Sequence, residues 1–178
     1  MAKLDIITLP DGKLRLKSAP VERVDDDVRR FLDSMLETMY AAPGIGLAAV
    51  QVGTPRRLVT IDIAQREDET AEPDPLFLIN PRLLWSSDER TTSEEGCLSI
   101  PDYFAEVERA NSVRVAYLDR EGSERQIEAN GIMAVVLQHE IDHLDGKLFI
   151  DRLSKLKRDM VIKKFTKQQR LGPKPPIL

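Results

Sequence analysis

The spacing of apolar residues changes along this chain, and each change marks an element. In "VDDDVRRFLDSMLETMYAA", Val28, Phe31, Leu32, Met35, Leu36 and Met39 stand at i, i+3, i+4, i+7, i+8 and i+11, one face of an amphipathic helix. Asp25, Asp26 and Asp27 offer a cap and put negative charge at the positive end of that helix. Pro43 predicts that it stops by residue 42, because proline disfavours the helical conformation of the residue before it. The next stretch, "GIGLAAVQVG", is small, apolar and glycine-rich, a poor helix and a place where backbone can approach another group closely. "RLVTIDI" and "PLFLINPRLLW" have the β-branched and large apolar residues of strands, and acidic "AQREDETAEPDP" between them reads as a surface loop. "FAEVER", then "SVRVAYLD" and "SERQIEA" around the turn "DREG", read as antiparallel strands.

The pattern then returns to helix. "NGIMAVVLQHEIDHLDG" has Asn130 as a plausible cap and Gly146 as a stop. Its first half is apolar nearly all round, which predicts burial in the middle of the fold. A third helix, capped by Ser154, runs to about Gln169 and ends before Gly172-Pro173. Strands outnumber helices and come mostly in one run. The fold class is therefore α+β: antiparallel β-sheets packed around a central helix, with an N-terminal amphipathic helix and a C-terminal basic one.

Composition narrows the function classes. A chain of 178 residues, 42% hydrophobic and 31% charged, is one globular domain in size and make-up. No apolar run approaches the roughly 20 residues of a membrane span. "MAKLDIITLP" has no apolar core or cleavage site after its lysine, so secretion is not expected. One cysteine excludes an internal disulfide framework and points to a reducing compartment or to a thiol with a task. The net charge of −4 is uneven. Arg152 to Lys174 holds nine basic residues and one acid, which reads either as an interaction tail or as a solvated helix face.

The candidate chemistry lies on the central helix. His139 and His143, the only two histidines, are four residues apart and so share a helix face. His-Glu-x-x-His on a helix is a metal-binding pattern in which the glutamate, here Glu140, acts as a base. Two histidines can share a helix for structural reasons alone, but in a buried helix each needs a partner, and one metal ion would serve both. A third ligand must come from a carboxylate or from Cys97. Cys97 could be a small buried hydrophobe. Its setting in "SEEGCLSIP", with a flexible glycine and two acids before it, argues for a ligand. Three protein ligands would leave a fourth position open, the mark of a catalytic metal.

Three separated stretches together carry a resemblance. They are Gly44-Ile45-Gly46-Leu47-Ala48-Ala49-Val50-Gln51, then Glu95-Gly96-Cys97-Leu98-Ser99, then Gln138-His139-Glu140-Ile141-Asp142-His143. In this order they resemble the motifs of the bacterial-type peptide deformylases, and the likeness extends over nearly the whole chain. The resemblance implies one catalytic domain over residues 1–171 with a short Pro-rich tail, 172–178. It implies that Cys97, His139 and His143 bind one divalent metal, Fe²⁺ in the cell, with Zn²⁺, Ni²⁺ or Co²⁺ able to occupy the same ligands. The reaction implied is hydrolysis of the N-formyl group from the formyl-methionine of new polypeptides, releasing formate.

The same resemblance assigns roles. Glu140 is the base and then the acid, the backbone N–H of Leu98 and the side-chain amide of Gln51 stabilise the oxyanion, and Gly46 is counted among the catalytic residues, its backbone beside the peptide. Ile132, Val135 and Val136 precede His139 by seven, four and three residues and are expected to line a methionine pocket. The backbone at Ile45 is expected to run beside the peptide, and Glu95 to help order the site. Some relatives carry an arginine seven residues after the metal cysteine, whereas this chain has Phe104. Lys155, Lys157, Lys163, Lys164 and Lys167 are candidates for contact with ribosomal RNA. No membrane partner is expected, and the expected state is a monomer in the bacterial cytoplasm. Two rival readings remain at this point: a zinc endopeptidase using the same helix, and a non-catalytic protein with a structural metal.

Overall fold

The computed structural model describes residues 3–172. Seven strands form two sheets. Gly46–Ala48 (β1), Leu58–Ile61 (β2), Leu76–Ser86 (β3), Ser112–Leu118 (β6) and Glu124–Asn130 (β7) make a five-stranded antiparallel sheet in the order β1-β2-β3-β6-β7. Arg90–Cys97 (β4) and Ile100–Ala110 (β5) form a separate antiparallel hairpin. The helices are Asp26–Ala41 (α1), a single turn at Ala64–Glu67 (α2), Gly131–Leu144 (α3) and Lys155–Leu171 (α4).

The alternation of β2 shows how the layers are built. Leu58 packs with α1, and the Thr60 hydroxyl faces Met39 of that helix, while Val59 and Ile61 pack with α3. All four residues are buried, because α1 covers one face of the sheet and α3 the other. Strands covered on both sides read as continuous apolar runs rather than alternating ones. Beyond α3 lies the β4–β5 hairpin, which packs Ile100 and Val107 against Phe149, Ile150, Val161 and Phe165. The central position of α3 thus follows from its nearly all-round apolar surface.

Most expected elements appear, with three differences. β4 was not expected: "RTTSEEGC" lacks strand-like apolar residues, and pairing with β5 is what makes it extended. Asn130 precedes α3 as expected, but its side chain makes no cap hydrogen bond, since the residue still pairs with Ser112 as the last of β7. The acidic loop after β2 contains the α2 turn. By contrast, Asp25 accepts a hydrogen bond from the Val28 N–H at 3.0 Å and Ser154 one from the Lys157 N–H at 3.2 Å, the two expected caps. No helix among the described residues is long and apolar enough to cross a membrane. The expected tail lies outside the described residues except for Gly172.

Candidate metal centre

Cys97 ends β4, and a two-residue turn through Leu98 and Ser99 joins it to Ile100. This hairpin tip stands against α3. The three candidate ligand atoms of Cys97, His139 and His143 all lie within 4.8 Å of one another. Cys97 Sγ is 3.3 Å from His143 Nε2. Both imidazoles are buried, and Cys97 is half-buried.

Surrounding groups hold His139 and reach Cys97. The Glu95 carboxylate, one strand position inward from Gly96, is 2.8 Å from His139 Nδ1. That contact sets the orientation of the ring and leaves the other nitrogen for the cluster. Glu95 also accepts two hydrogen bonds from Arg109, at 2.6 and 2.9 Å. Arg109 is fully buried and donates at 3.0 Å to Asp142, which Arg152 holds from the other side. The His139 ring stacks on Phe149, with centroids 5.9 Å apart. Gln51 is buried rather than a surface residue. Its Oε1 accepts from the Ala48 N–H at 2.9 Å, which turns its NH₂ toward Ser99 Oγ at 3.1 Å and Cys97 Sγ at 3.5 Å.

Glu140 is buried, and its Oε2 has no hydrogen-bond partner among the described residues; the same holds for His143 Nδ1. A buried polar atom without a partner is costly and marks a place where water or a ligand belongs. Gly46 makes room for Glu140: a Cβ there would lie 2.5 Å from Oε1 and 3.0 Å from the carboxyl carbon. Gly44 likewise accommodates Leu98, whose Cδ1 would be 2.6 Å from an added Cβ. The "GIG" segment therefore borders both Glu140 of α3 and Leu98 at the hairpin tip.

The electrostatics favour a cation. Burial pulls the His139 pKa down, but hydrogen bonds to Cys97 and Glu95 and the charges of Cys97 and Glu140 outweigh it and push it up to about 10. Burial holds His143 well below its ordinary value, with the charges of His139 and Arg109 adding to the effect. Burial raises the Glu140 carboxyl to about 7, against the attraction of His139 and Arg109. The cysteine sulfur and the carboxylates around His139 thus favour positive charge at the cluster. Thiolate and imidazole together suit a divalent metal ion.

The other residues singled out in the sequence are placed as follows. Ile132 and Val135 are half-buried, whereas Val136 is buried in the core beneath the sheet. Ile45 packs against that same core, and its carbonyl accepts from the Asp62 N–H at 2.9 Å. Both Glu95 oxygens face Arg109 and His139, so its contacts are with a candidate ligand rather than with the open cleft. Sequence reasoning missed Arg109, Ser99, Phe149 and the inward role of Asp142. Arg109 was accessible to it: in "YFAEVERA", period two puts Arg109 on the same face as Val107.

A cysteine sulfur and two imidazoles that could hold a metal ion, with a carboxyl and an amide donor around them, are a donor set of the kind metallohydrolases use. A family model described as polypeptide deformylase matches residues 3–159. The peptide deformylase of Mesorhizobium japonicum is 62% identical over 162 residues, 91% of this chain and 90% of that protein. That of Methylocella silvestris is 56% identical over 171 residues, 96% of this chain and 87% of the relative. The crystal structure of peptide deformylase from Ehrlichia chaffeensis in complex with actinonin superposes with a TM-score of 0.88 at 45% identity, covering 96% of this chain and 99% of that one. The chain belongs to the polypeptide deformylase family, metal-dependent enzymes that remove the N-formyl group from nascent peptides. The relatives favour neither an endopeptidase nor a non-catalytic metal protein.

Proposed function

We propose that Cys97, His139 and His143 are the metal ligands of this deformylase and that Glu140 is its acid–base group. The observation that carries the reading is the buried Glu140 carboxyl, one oxygen of which (Oε2) is unpartnered among the described residues while the other (Oε1) occupies space that only glycine at position 46 leaves free. A bound divalent ion supplies a Lewis acid that lowers the pKa of water at an open position and polarises a carbonyl oxygen. Fe²⁺ is the ion we assign in the cell, with Zn²⁺, Ni²⁺ or Co²⁺ able to replace it, and a ferrous thiolate site would be oxygen-sensitive.

The chain's own residues do the rest. Glu140 accepts a proton from the attacking water and returns it to the departing amine nitrogen, a task suited to a pKa raised to about 7. Gln51, its NH₂ turned toward the cluster, and the Leu98 N–H in the hairpin turn receive the developing oxyanion. The peptide lies along the "GIG" segment and pairs with backbone at Ile45 and Gly46, which accepts many following sequences. Ile132 and Val135 form the apolar side on which the methionine side chain rests, with Val136 behind them in the core. Glu95 positions His139. Residues 1–171 work as one catalytic domain, monomeric, in the bacterial cytoplasm, and the exposed lysines of α4 give it a face for ribosomal RNA.

Glu140→Gln tests the assignment. It should retain one equivalent of metal and lose at least ~10²-fold in formate release. Near-normal turnover in the metal-loaded variant would remove Glu140 from the mechanism.

A further inference from the structure

An open cavity of about 600 Å³ lies where the turn Gly12–Arg15, the turn Phe149–Arg152 and the start of α4 meet. Its wall carries four cations, Arg15, Lys147, Arg152 and Arg158, and two acids, Asp151 and Asp159. Charged side chains at a surface are ordinarily just solvated, but the pairing here is uneven. Both acids are already neutralised. Arg15 donates to Asp151 at 2.5 and 3.1 Å, and Lys155, which is not part of the wall, donates to Asp159 at 2.8 Å. Arg158 has only a 3.7 Å contact with Asp159, and Lys147 has no ion pair among the described residues. Arg152 is fixed from one side: its Nε and Nη2 donate to Asp142 at 2.9 to 3.2 Å, and its Nη1 has no partner among the described residues. Asp142 is itself buried and held by Arg109, so the Arg152 guanidinium is anchored before anything binds.

We propose that this cavity binds a small oligophosphate, either free pyrophosphate or the phosphate tail of a nucleotide. Lys147 and Arg158 bring positive charge that no acid in the wall offsets, and Arg152 adds a fixed donor. That combination matches a multivalent anion. Guanidinium groups offer flat forks of N–H donors to phosphate oxygens, and the lysine ammonium adds a mobile point charge. A monovalent anion would gain little from such exposed cations, because salt screens them. The volume lies in the range of small-molecule sites, and Ile162 gives the wall an apolar part against which a nucleoside could rest. None of the wall residues belongs to the proposed reaction centre, so the site stands independently of the metal assignment. It also differs from the outward lysines of α4, Lys163, Lys164 and Lys167, which are not part of the wall.

The test titrates Zn²⁺-loaded, isotope-labelled full-length protein with pyrophosphate, with ADP and with a single-stranded RNA decamer. NMR follows the backbone amides of Lys147 and Arg158 and the Nε–H of Arg152, and metal content is measured before and after. Pyrophosphate or ADP should shift these signals saturably with a Kd below ~1 mM. Tighter binding of ADP identifies a nucleotide, and equal binding a free oligophosphate. Lys147→Gln combined with Arg158→Gln should weaken binding at least ~10-fold. Lys147→Gln alone, at an exposed side chain with no ion pair to lose, should weaken it severalfold and serves if the double variant misfolds. Lys163→Gln combined with Lys164→Gln should leave the affinity unchanged. Absence of a saturable shift with either phosphate overturns the proposal. So do shifts confined to Cys97 and Leu98, which would place the anion at the metal, and equal weakening by the two lysine–arginine and lysine–lysine pairs, which would reduce the effect to diffuse attraction by a basic helix. Saturation by the RNA decamer without saturation by pyrophosphate or ADP overturns it in favour of a nucleic-acid contact.

Discussion

Replacing Arg109 with methionine should destabilise the protein more than any other single change near the site. The guanidinium is about 1% exposed and donates three hydrogen bonds to two carboxylates: 2.6 and 2.9 Å to Glu95, 3.0 Å to Asp142. Methionine fills similar space but removes the charge. Asp142 keeps Arg152, at 2.9 to 3.2 Å, so it is still compensated. Glu95 keeps only His139, and the cost therefore falls on one buried carboxylate. Removing one partner of such a buried pair costs about 3–5 kcal/mol, a large part of the ~5–15 kcal/mol that holds a typical domain together. With a urea dependence of ~2 kcal/mol per molar, the unfolding midpoint should drop by about 2 M, read by far-ultraviolet circular dichroism. Because Glu95 orients a candidate ligand, metal affinity should fall about 10–100-fold as well. Adding Glu95→Gln removes the stranded charge and should recover at least half of the lost stability. A single variant within about 1 kcal/mol of wild type, or a double variant no better than the single, would refute the argument that Arg109 is held there by the charge on Glu95.

Two further outcomes follow from the geometry. Gly46→Ala forces a methyl group against the Glu140 carboxyl, and a displacement near 1 Å should cost about 10²-fold in kcat at unchanged metal content; a variant with wild-type kcat would show that the carboxyl can yield without loss. Replacing Lys163, Lys164 and Lys167 with glutamine should weaken co-sedimentation with ribosomes at low salt while leaving the fold intact, since Val161 and Phe165 hold α4 in the core; unchanged co-sedimentation would remove these lysines from any RNA contact.

Periodic burial was the most legible part of this sequence. The six apolar positions of α1 and the all-round apolar start of α3 announced both helices and the centrality of the second, because each depends on local spacing. The shared helix face of His139 and His143 was legible for the same reason. The hairpin carrying Cys97 was not, since β4 is polar and owes its extended form to a partner strand. The buried chain from His139 through Glu95, Arg109 and Asp142 to Arg152 was also hidden. It joins β4, β5, α3 and the turn before α4, and charged residues in a sequence give no sign of which will find one another inside.

The most direct measurement of the central claim is formate release from formyl-Met-Ala-Ser by Fe²⁺-loaded protein handled without oxygen, beside the same peptide carrying acetyl in place of formyl. The account predicts rapid formate release and an almost inert acetyl peptide, because the carbonyl carbon must fit between the Leu98 turn and the Gly46 wall. Folded, metal-loaded protein that releases no formate, or that hydrolyses both peptides alike, would contradict it.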